Sequence, residues 1–371
     1  MIAHSGEKFR APDGDVNTPI CTSTTFQQKA PAVPMGEFEY SRSGNPTRAA
    51  LEDALAKLEG AQYGLAFSSG LAAINAAVAI LPMSAHVLCM DDVYGGSARF
   101  FKQCAPHISV SFADLSIKSA AEYLTNETAL VWIESPTNPT LKIVDIEKMV
   151  KDVKQSKKDC IVLVDNTFLT PVFQNPLKLG ADIVLHSVTK YINGHSDVVM
   201  GALMTNRKDL YDKLAFFQNS LGSVPSPFDC YLVIRGMKTL YLRVQRQAES
   251  ALRIAKYLQS HPNVSRVLYP GLETHVNHKV VLKQSSGFGS MVSFELKDTS
   301  AAEFCKKLKL FILAESLGGV ESLVEVPYVM THSSVPEETR RVLGITPNLI
   351  RLSIGIENVE DLIEDLDIAL K

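Results

Sequence analysis

The stretch Asp182-Ile183-Val184-Leu185-His186-Ser187-Val188-Thr189-Lys190-Tyr191 is a hydrophobic run that ends in serine, threonine and then lysine. A continuous run of this kind is typical of a strand buried on both faces of a parallel sheet. A lysine directly after such a strand is costly, because desolvating an ammonium group costs several kcal/mol unless the charge is neutralised or paired. One functional interpretation is that the nitrogen is bonded covalently as a Schiff base. A surface lysine whose stem packs along the protein explains this segment equally well.

A second apolar strand, residues 160–167, ends in Asp165, 25 residues before Lys190. That interval fits one crossover between neighbouring parallel strands, which places both side chains at the same carboxyl edge of the sheet. A lysine and a carboxylate converging there match the needs of pyridoxal phosphate (PLP): the lysine holds the aldehyde, and the carboxylate keeps the pyridinium nitrogen protonated. The alternative is that Asp165 caps the next helix.

A small, polar turn at residues 66–73, with the sequence AFSSGLAA, leads into an alanine-rich segment. The free N–H groups at such a helix start suit a phosphate group. Residues 287–289, GFG, lack the third glycine and the strand–helix context of a dinucleotide-binding fingerprint, so a Rossmann site is rejected.

Short apolar runs separated by helical patterns predict a parallel sheet covered by helices. The runs are His86–Met90, Ile108–Phe112, Ala129–Ile133, Ile161–Asp165, Asp182–Ser187 and Met200–Met204. Asn45 and Gly60 suit the two caps of a helix that begins at Pro46. We therefore expect an α/β protein with an N-terminal arm over residues 1–45, a large α/β domain over 46–235 and a smaller α+β domain over 236–371. The last of these would contain a long helix near 237–260 and a closing helix capped by Asn358.

Composition narrows the class of protein. The 371 residues carry 37 Lys+Arg and 40 Asp+Glu, a net charge of −3, which gives no support for a nucleic-acid surface. A hydrophobic content of 46% argues against disorder, and no apolar stretch is long enough to span a membrane. The six cysteines are widely scattered and form no C-x-x-C pair, and no secretory signal is visible. We expect a cytoplasmic protein.

Eight motifs occur in order along the chain. They are YSRSGNPT (40–47), SGLAA (69–73), DDVYGG (91–96), SPTNP (135–139), VDNT (164–167), SVTKYINGH (187–195), AESLGG (314–319) and IRLSIG (350–355). On these motifs the sequence resembles, over essentially its whole length, the Cys/Met-metabolism family of PLP-dependent enzymes.

The resemblance implies the fold type I of PLP-dependent transferases, which is that of aspartate aminotransferase, with PLP covalently bound to Lys190. Lys190 would then also move protons, Asp165 would pair with the pyridine nitrogen, and Tyr94 would stack on the ring and take part in catalysis. The cofactor phosphate would be held by Ser69, the backbone amides of Gly70 and Leu71, and the hydroxyls of Ser187 and Thr189. Tyr40 and Arg42 would reach into a neighbouring subunit's phosphate site, so that active sites lie at the dimer interface of a homotetramer.

On the substrate side, the resemblance implies that Arg351 clamps the α-carboxylate through its planar fork, with help from Asn138 and Ser316. Glu315 and Arg99 would line the distal end, and Arg42 and Tyr94 would also border the substrate. No metal is expected.

Plainer interpretations stay open for several of these residues. Tyr94 could be a turn residue, Arg351 a structural ion-pair partner, and Glu315 a solvated carboxylate. His195 has no nucleophile elbow beside it and is interpreted as structural. His275 and His278 are spaced like metal ligands, but no third ligand is evident, so we interpret them as surface residues.

The reaction implied by the resemblance is a γ-elimination of L-cystathionine that gives L-cysteine, 2-oxobutyrate and ammonia, with release of hydrogen sulfide from cysteine as a possible side reaction. Gly96 stands where methionine-cleaving members typically have cysteine, and Glu315 stands where β-cleaving members usually have an aromatic residue. The alternative that remains is a γ-replacement, in which an O-acylhomoserine reacts with cysteine. A catalytically silent homologue with a binding role is disfavoured, because Lys190, Asp165, Tyr94 and Arg351 are all present.

Overall fold

The computed structural model describes residues 14–371, so residues 1–13 of the predicted arm lie outside the described part. The arm contains a short antiparallel hairpin, β1 (Gln28–Ala30) with β2 (Val33–Pro34), and an isolated bridge from Thr25 to Tyr40. Beyond the arm, the remaining strands are β3 (Tyr63–Phe67), β4 (His86–Met90), β5 (Ser109–Ala113), β6 (Thr128–Glu134), β7 (Ile161–Asp165), β8 (Ile183–Ser187), β9 (Gly201–Thr205), β10 (Val264–Leu268), β11 (Met291–Leu296), β12 (Ile312–Leu313), β13 (Leu323–Glu325) and β14 (Leu349–Ser353). The α-helices are α1 (Pro46–Glu59), α2 (Gly70–Ala79), α3 (Gly95–Arg99), α4 (Ile146–Ser156), α5 (Thr170–Phe173), α6 (Lys208–Leu221), α7 (Pro227–Met237), α8 (Leu240–Ser260), α9 (His278–Gln284), α10 (Ala301–Lys307), α11 (Glu337–Val342) and α12 (Val359–Leu370).

The large sheet has seven strands in the order β3-β9-β8-β7-β6-β4-β5. The predicted apolar runs all form its strands, and the expectation of an α/β fold is confirmed. One strand corrects the expectation of an all-parallel sheet, because β9 runs antiparallel to both β8 and β3. The connection from β8 to β9 consists of turns without a helix, whereas a parallel neighbour needs a crossover that is usually helical. Strand β3 was not predicted, since YGLAF is short and contains a glycine.

Helix α1 begins and ends where the sequence predicts. The Asn45 side chain accepts hydrogen bonds from the backbone N–H groups of Thr47 and Arg48. Gly60 ends the helix with a φ of 68°, a left-handed conformation that glycine adopts without steric cost.

Helix α8 lies behind the segment that follows β8. Its buried Arg243 donates hydrogen bonds to the carbonyl oxygens of Tyr191, Ile192 and Gly236. A guanidinium that satisfies several carbonyls fixes the turn immediately after Lys190. The sequence therefore places Lys190 at a strand end, and Arg243, 53 residues further along the chain, fixes the turn that holds it there.

The smaller sheet has the order β10-β11-β14-β13-β12 and packs against α8, α10 and α12 around a core that includes Phe294, Phe304 and Leu362. Its pairs are antiparallel except for β12 with β13. The predicted domain boundary at 235/236 falls inside α7. Among residues 14–371, no helix is both long and apolar enough to cross a membrane.

Candidate active site

A cavity of about 350 Å³ lies where the carboxyl ends of the central strands of the large sheet meet the smaller domain. Its lining includes Ser69, Gly70, Leu71, Tyr94, Glu134, Asn138, Asp165, Thr167, Ser187, Thr189, Lys190, Glu315, Ser316, Thr331 and Arg351. A larger open cleft of about 500 Å³ runs along β10 and contains neither Lys190 nor Asp165. We assign the site to the smaller cavity, because the chemically active side chains converge there.

Lys190 lies three residues after the end of β8 and faces this cavity. Its Nζ donates a hydrogen bond to the Ser316 hydroxyl at 2.8 Å. Burial, together with the nearby positive charge of Arg351, lowers the pKa of Lys190 from 10.5 to about 8. A substantial fraction of the amine is therefore neutral near pH 8, which is the form that attacks a carbonyl group.

Asp165 ends β7, and Glu134 is its partner in register at the end of β6. One Asp165 oxygen accepts a hydrogen bond from the N–H of Thr167 at 2.9 Å. Burial and the neighbouring Asp165 carboxylate raise the pKa of Glu134 well above 4.5, and burial also raises the pKa of Asp165. In the described part of the chain, no Lys or Arg forms an ion pair with either of these acids. The site thus holds an acid pair, with Glu134 buried and Asp165 partly buried, that favours a cationic guest.

The start of α2 is open to an anion. The Ser69 side chain accepts from the N–H of Ala72, and the Ser69 carbonyl accepts from Ala73. The amides of Gly70 and Leu71 have no acceptor within residues 14–371. Free N–H groups at the N-terminus of a ten-residue helix favour negative charge.

Strand β9 packs closely against the turn at the start of α2. A Cβ atom on Gly201 would lie 2.4 Å from the Ser69 carbonyl oxygen, so only glycine allows β9 to pass so close. Of the two predicted hydroxyls, Ser187 lies beside Gly70, with its Oγ 3.5 Å from an ideal Cβ at that position. The Thr189 hydroxyl also lines the cavity, but it is bonded to both the N–H and the carbonyl of Met200.

Tyr94 lies at the cavity mouth, 42% exposed. Its N–H donates to Glu134 Oε2 at 3.1 Å. Its ring lies against the backbone of Gly96, where an added Cβ would come within 2.4 Å of a ring carbon. A side chain at position 96 would therefore displace this ring.

Arg351, on β14, is 2% exposed at its side chain and lines the cavity. Its Nη1 donates to Asn138 Oδ1 at 2.8 Å, and its Nη2 donates to the Ser316 carbonyl at 2.8 Å. Ser316 has a φ of 85°, an unusual conformation for a residue other than glycine, which allows its carbonyl to bond Arg351 while its hydroxyl bonds Lys190. Glu325 Oε1 lies 2.9 Å from Nη1 and forms a buried ion pair.

The remaining predicted residues lie in different places. Glu315 borders the cavity and is exposed. Arg99 ends α3, is exposed and does not line the cavity. Tyr40 and Arg42 are also exposed and outside it, and Arg42 instead donates to the Asn219 backbone and side chain. His195, His275 and His278 make ring contacts with the carbonyl oxygens of Asn193, Leu141 and Pro270, respectively.

Sequence reasoning missed Glu134, Glu325, Thr167 and Thr331, which line the cavity or contact residues that do. Glu134 had a signal, because it ends an apolar strand directly before the SPTNP motif, just as Asp165 ends its own strand. Glu325 had none of this kind, since it becomes significant only through its pairing with Arg351 across β13 and β14.

The residues present fit PLP. Lys190 supplies an amine that is partly neutral, α2 offers free amides for a phosphate, and Asp165 is a partly buried carboxylate lacking a cationic partner among the described residues. This donor set matches an aldehyde, a phosphate and a pyridinium nitrogen, respectively.

Comparison with known proteins agrees with this chemistry. The family described as Cys/Met metabolism PLP-dependent enzyme matches residues 1–371. The chain is 51% identical over 374 residues to cystathionine gamma-lyase of Dictyostelium discoideum, covering 100% of this chain and 96% of that protein. It is 54% identical over 358 residues to the Homo sapiens enzyme of the same name, covering 95% and 88%.

Solved structures of both reaction types resemble the fold. Cystathionine gamma-lyase from yeast has a TM-score of 0.95 and 50% identity, covering 100% of this chain and 96% of that chain. Cystathionine gamma synthase from Xanthomonas oryzae pv. oryzae, in complex with cystathionine, has a TM-score of 0.96 and 43% identity with the same coverage. The matching family, the shared fold and the cavity that suits PLP together show that this chain belongs to the Cys/Met metabolism PLP-dependent enzymes.

Proposed function

We propose that the protein is a PLP-dependent carbon–sulfur lyase that converts L-cystathionine and water to L-cysteine, 2-oxobutyrate and ammonia. The observation that carries the proposal is the convergence of Lys190, Asp165 and Arg351 on one cavity, with Glu315 at its border. The relatives above at 51% and 54% identity, both named cystathionine gamma-lyase, favour this substrate and this reaction.

When bound, PLP supplies an electron sink for the negative charge left at the substrate Cα. Asp165 would support that sink by keeping the pyridine nitrogen protonated. Lys190 would act as the base: its pKa of about 8 lets the amine take the Cα proton near neutral pH. It would pass that proton to the cofactor, which restores the neutral amine, before it takes a Cβ proton. Tyr94, at the cavity mouth, would cover the cofactor ring and give a proton to the departing sulfur.

The remaining residues orient the substrate. Arg351 holds the α-carboxylate, and Asn138 and Ser316 fix the guanidinium plane by their hydrogen bonds to Nη1 and Nη2. Glu315, exposed at the cavity border, would attract the distal ammonium group of cystathionine, a group that methionine lacks. Arg99 is proposed to reach the same end from the exposed terminus of α3.

The phosphate site is proposed to be shared between subunits. Ser69, Gly70, Leu71, Ser187 and Thr189 come from one chain. Tyr40 and Arg42 lie outside their own chain's cavity, which fits a role in a neighbour's site. We propose a homotetramer built as a dimer of dimers. All six cysteines are unpaired, which supports a reducing compartment and our proposal of a cytoplasmic location.

The test is to incubate cofactor-loaded protein with L-cystathionine and to measure cysteine and 2-oxobutyrate. We expect equal amounts of both products, and loss of both with Lys190→Ala. Absence of both products from the wild-type protein, with cystathionine formed instead from O-succinylhomoserine and cysteine, would assign the γ-replacement reaction and contradict the proposal. Borohydride reduction provides a separate check, because it should fix the cofactor on Lys190.

A further inference from the structure

The guanidinium of Arg351 already has a carboxylate partner before any substrate arrives. Glu325 Oε1 lies 2.9 Å from Nη1, and the two side chains are 1% and 2% exposed. The pairing is built into the sheet, since Glu325 and Arg351 are register partners on β13 and β14. Of the three protein oxygens around Nη1 and Nη2, only the one from Glu325 is charged.

Glu325 also joins two walls of the cavity. Its Oε1 accepts a hydrogen bond from the Thr331 hydroxyl at 2.8 Å, and Thr331 lines the cavity. The Thr331 carbonyl in turn packs against Gly95, where an added Cβ would lie 2.6 Å from it. Glu325 is therefore held in place by the loop that adjoins the Tyr94 segment, and it cannot swing away from Arg351 without breaking this contact.

A substrate carboxylate on Arg351 would be the second carboxylate on a single guanidinium. Two buried negative charges a few ångströms apart repel each other strongly, because the interior screens them poorly. We propose that Glu325 is a positioning residue that fixes the orientation of Arg351 and at the same time weakens its grip on the substrate α-carboxylate. The inference rests on the proposed role of Arg351 as the carboxylate clamp.

A moderated clamp has a functional consequence. Each amino acid that enters or leaves the site through its α-carboxylate would be held by a guanidinium whose charge is partly neutralised. Binding that is equally tight in the ground state and the transition state lowers KM without raising kcat. Glu325 thus weakens binding that is equally tight in the ground state and the transition state, and it favours the release of bound amino acids.

The test uses L-norleucine, which has the amino acid backbone but no γ leaving group. Its dissociation constant is measured from the visible absorption of the cofactor-loaded enzyme. Glu325→Gln removes the charge but retains an oxygen acceptor for Arg351 and Thr331. We expect it to bind L-norleucine about tenfold more tightly than the wild type does. For n-pentylamine, the same molecule without the carboxylate, binding should change by less than about twofold, because this ligand brings no second carboxylate for Glu325 to repel.

Thr331→Val is the matched control, because it removes the hydroxyl contact to Glu325 and leaves the charge in place. It should bind L-norleucine no more tightly than the wild type. Should Glu325→Gln fail to load the cofactor, Glu325→Met removes the same charge without a buried amide, and the same tightening is expected. Unchanged or weaker L-norleucine binding, or equal tightening of n-pentylamine, overturns the inference. Because L-norleucine is not cleaved, this outcome is independent of whether the wild-type enzyme cleaves cystathionine.

Discussion

Two buried glutamates lie near the same cavity on different sheets, and their partners are opposite in charge. Glu134 lines the cavity, whereas Glu325 contacts Arg351 and Thr331, which line it. Glu134, at the end of β6, stands beside Asp165, and within residues 14–371 neither acid has a cationic ion-pair partner. Glu325, on β13, is paired with Arg351. The first pair leaves the site with a deficit of positive charge, which a pyridinium nitrogen can fill. In the second pair, the charge of Glu325 is balanced by Arg351 before any ligand binds. One cavity thus uses the same type of side chain in one place to attract a cation and in another to restrain one.

The largest expected effect is on the acid pair. Asp165→Asn removes the carboxylate that would hold the charged pyridinium, and a hydrogen bond to a charged group contributes about 1.5–3 kcal/mol. We expect the dissociation constant of PLP to rise by about 10- to 100-fold, and kcat/KM for L-cystathionine to fall by at least about 100-fold. Both are measured after the cofactor is removed by dialysis and added back.

Glu134→Gln is the matched control for this change, because it also replaces a carboxylate by an amide one strand away. It should alter PLP affinity far less, since burial and the neighbouring Asp165 raise the pKa of Glu134 and so disfavour its charged form. Equal losses in the two variants would show that the carboxylates are interchangeable and would contradict the distinct role assigned to Asp165.

For the ion pair of Glu325 with Arg351, we expect that one substitution lowers the stability and that a second substitution restores it. Arg351→Met leaves Glu325 as an unpaired buried charge, and breaking such a pair costs about 3–5 kcal/mol. The double variant Arg351→Met with Glu325→Met removes both charges and should recover most of the lost stability, although not the activity. The measurement is the melting temperature of the cofactor-loaded protein. If the double variant were as unstable as Arg351→Met, the loss of stability would not come from an unpaired charge on Glu325.

The residues of the site also differ in how far the sequence predicted them, and both Glu134 and Glu325 were missed. Lys190 and Asp165 follow apolar strands directly, so local pattern and one crossover place them at a common edge. Arg351 was predicted only through the resemblance, and its ion pair with Glu325 depends on antiparallel pairing between strands joined by a long connection that contains α11. The positive φ of Ser316 and the antiparallel direction of β9 likewise arise from tertiary packing, which no local pattern encodes. The substrate roles of Glu315 and Arg99 and the domain boundaries stay predictions.

The smallest expected effect is a pH dependence of stability that arises at the acid pair. Glu134 faces Asp165 directly, and the buried Asp92 adds a further negative charge nearby. Because burial and these neighbours raise the pKa of Glu134 in the folded protein, the folded state binds more protons than the unfolded state above pH 4.5. Stability must then fall as the pH rises from 4.5 toward the raised pKa, by at most about 1.4 kcal/mol per pH unit for one group.

Glu134→Gln removes this titration, so the cofactor-free variant should gain stability relative to the cofactor-free wild type as the pH rises from about 5.5 to about 8.5. Melting temperatures at the two pH values measure the difference. Bound PLP should reduce the same difference, since a positive charge beside Asp165 lessens the repulsion that Glu134 experiences. If neither the substitution nor the cofactor changes the pH dependence, the titration of Glu134 does not cause it. Glu134 would then serve only to accept the hydrogen bond from the N–H of Tyr94.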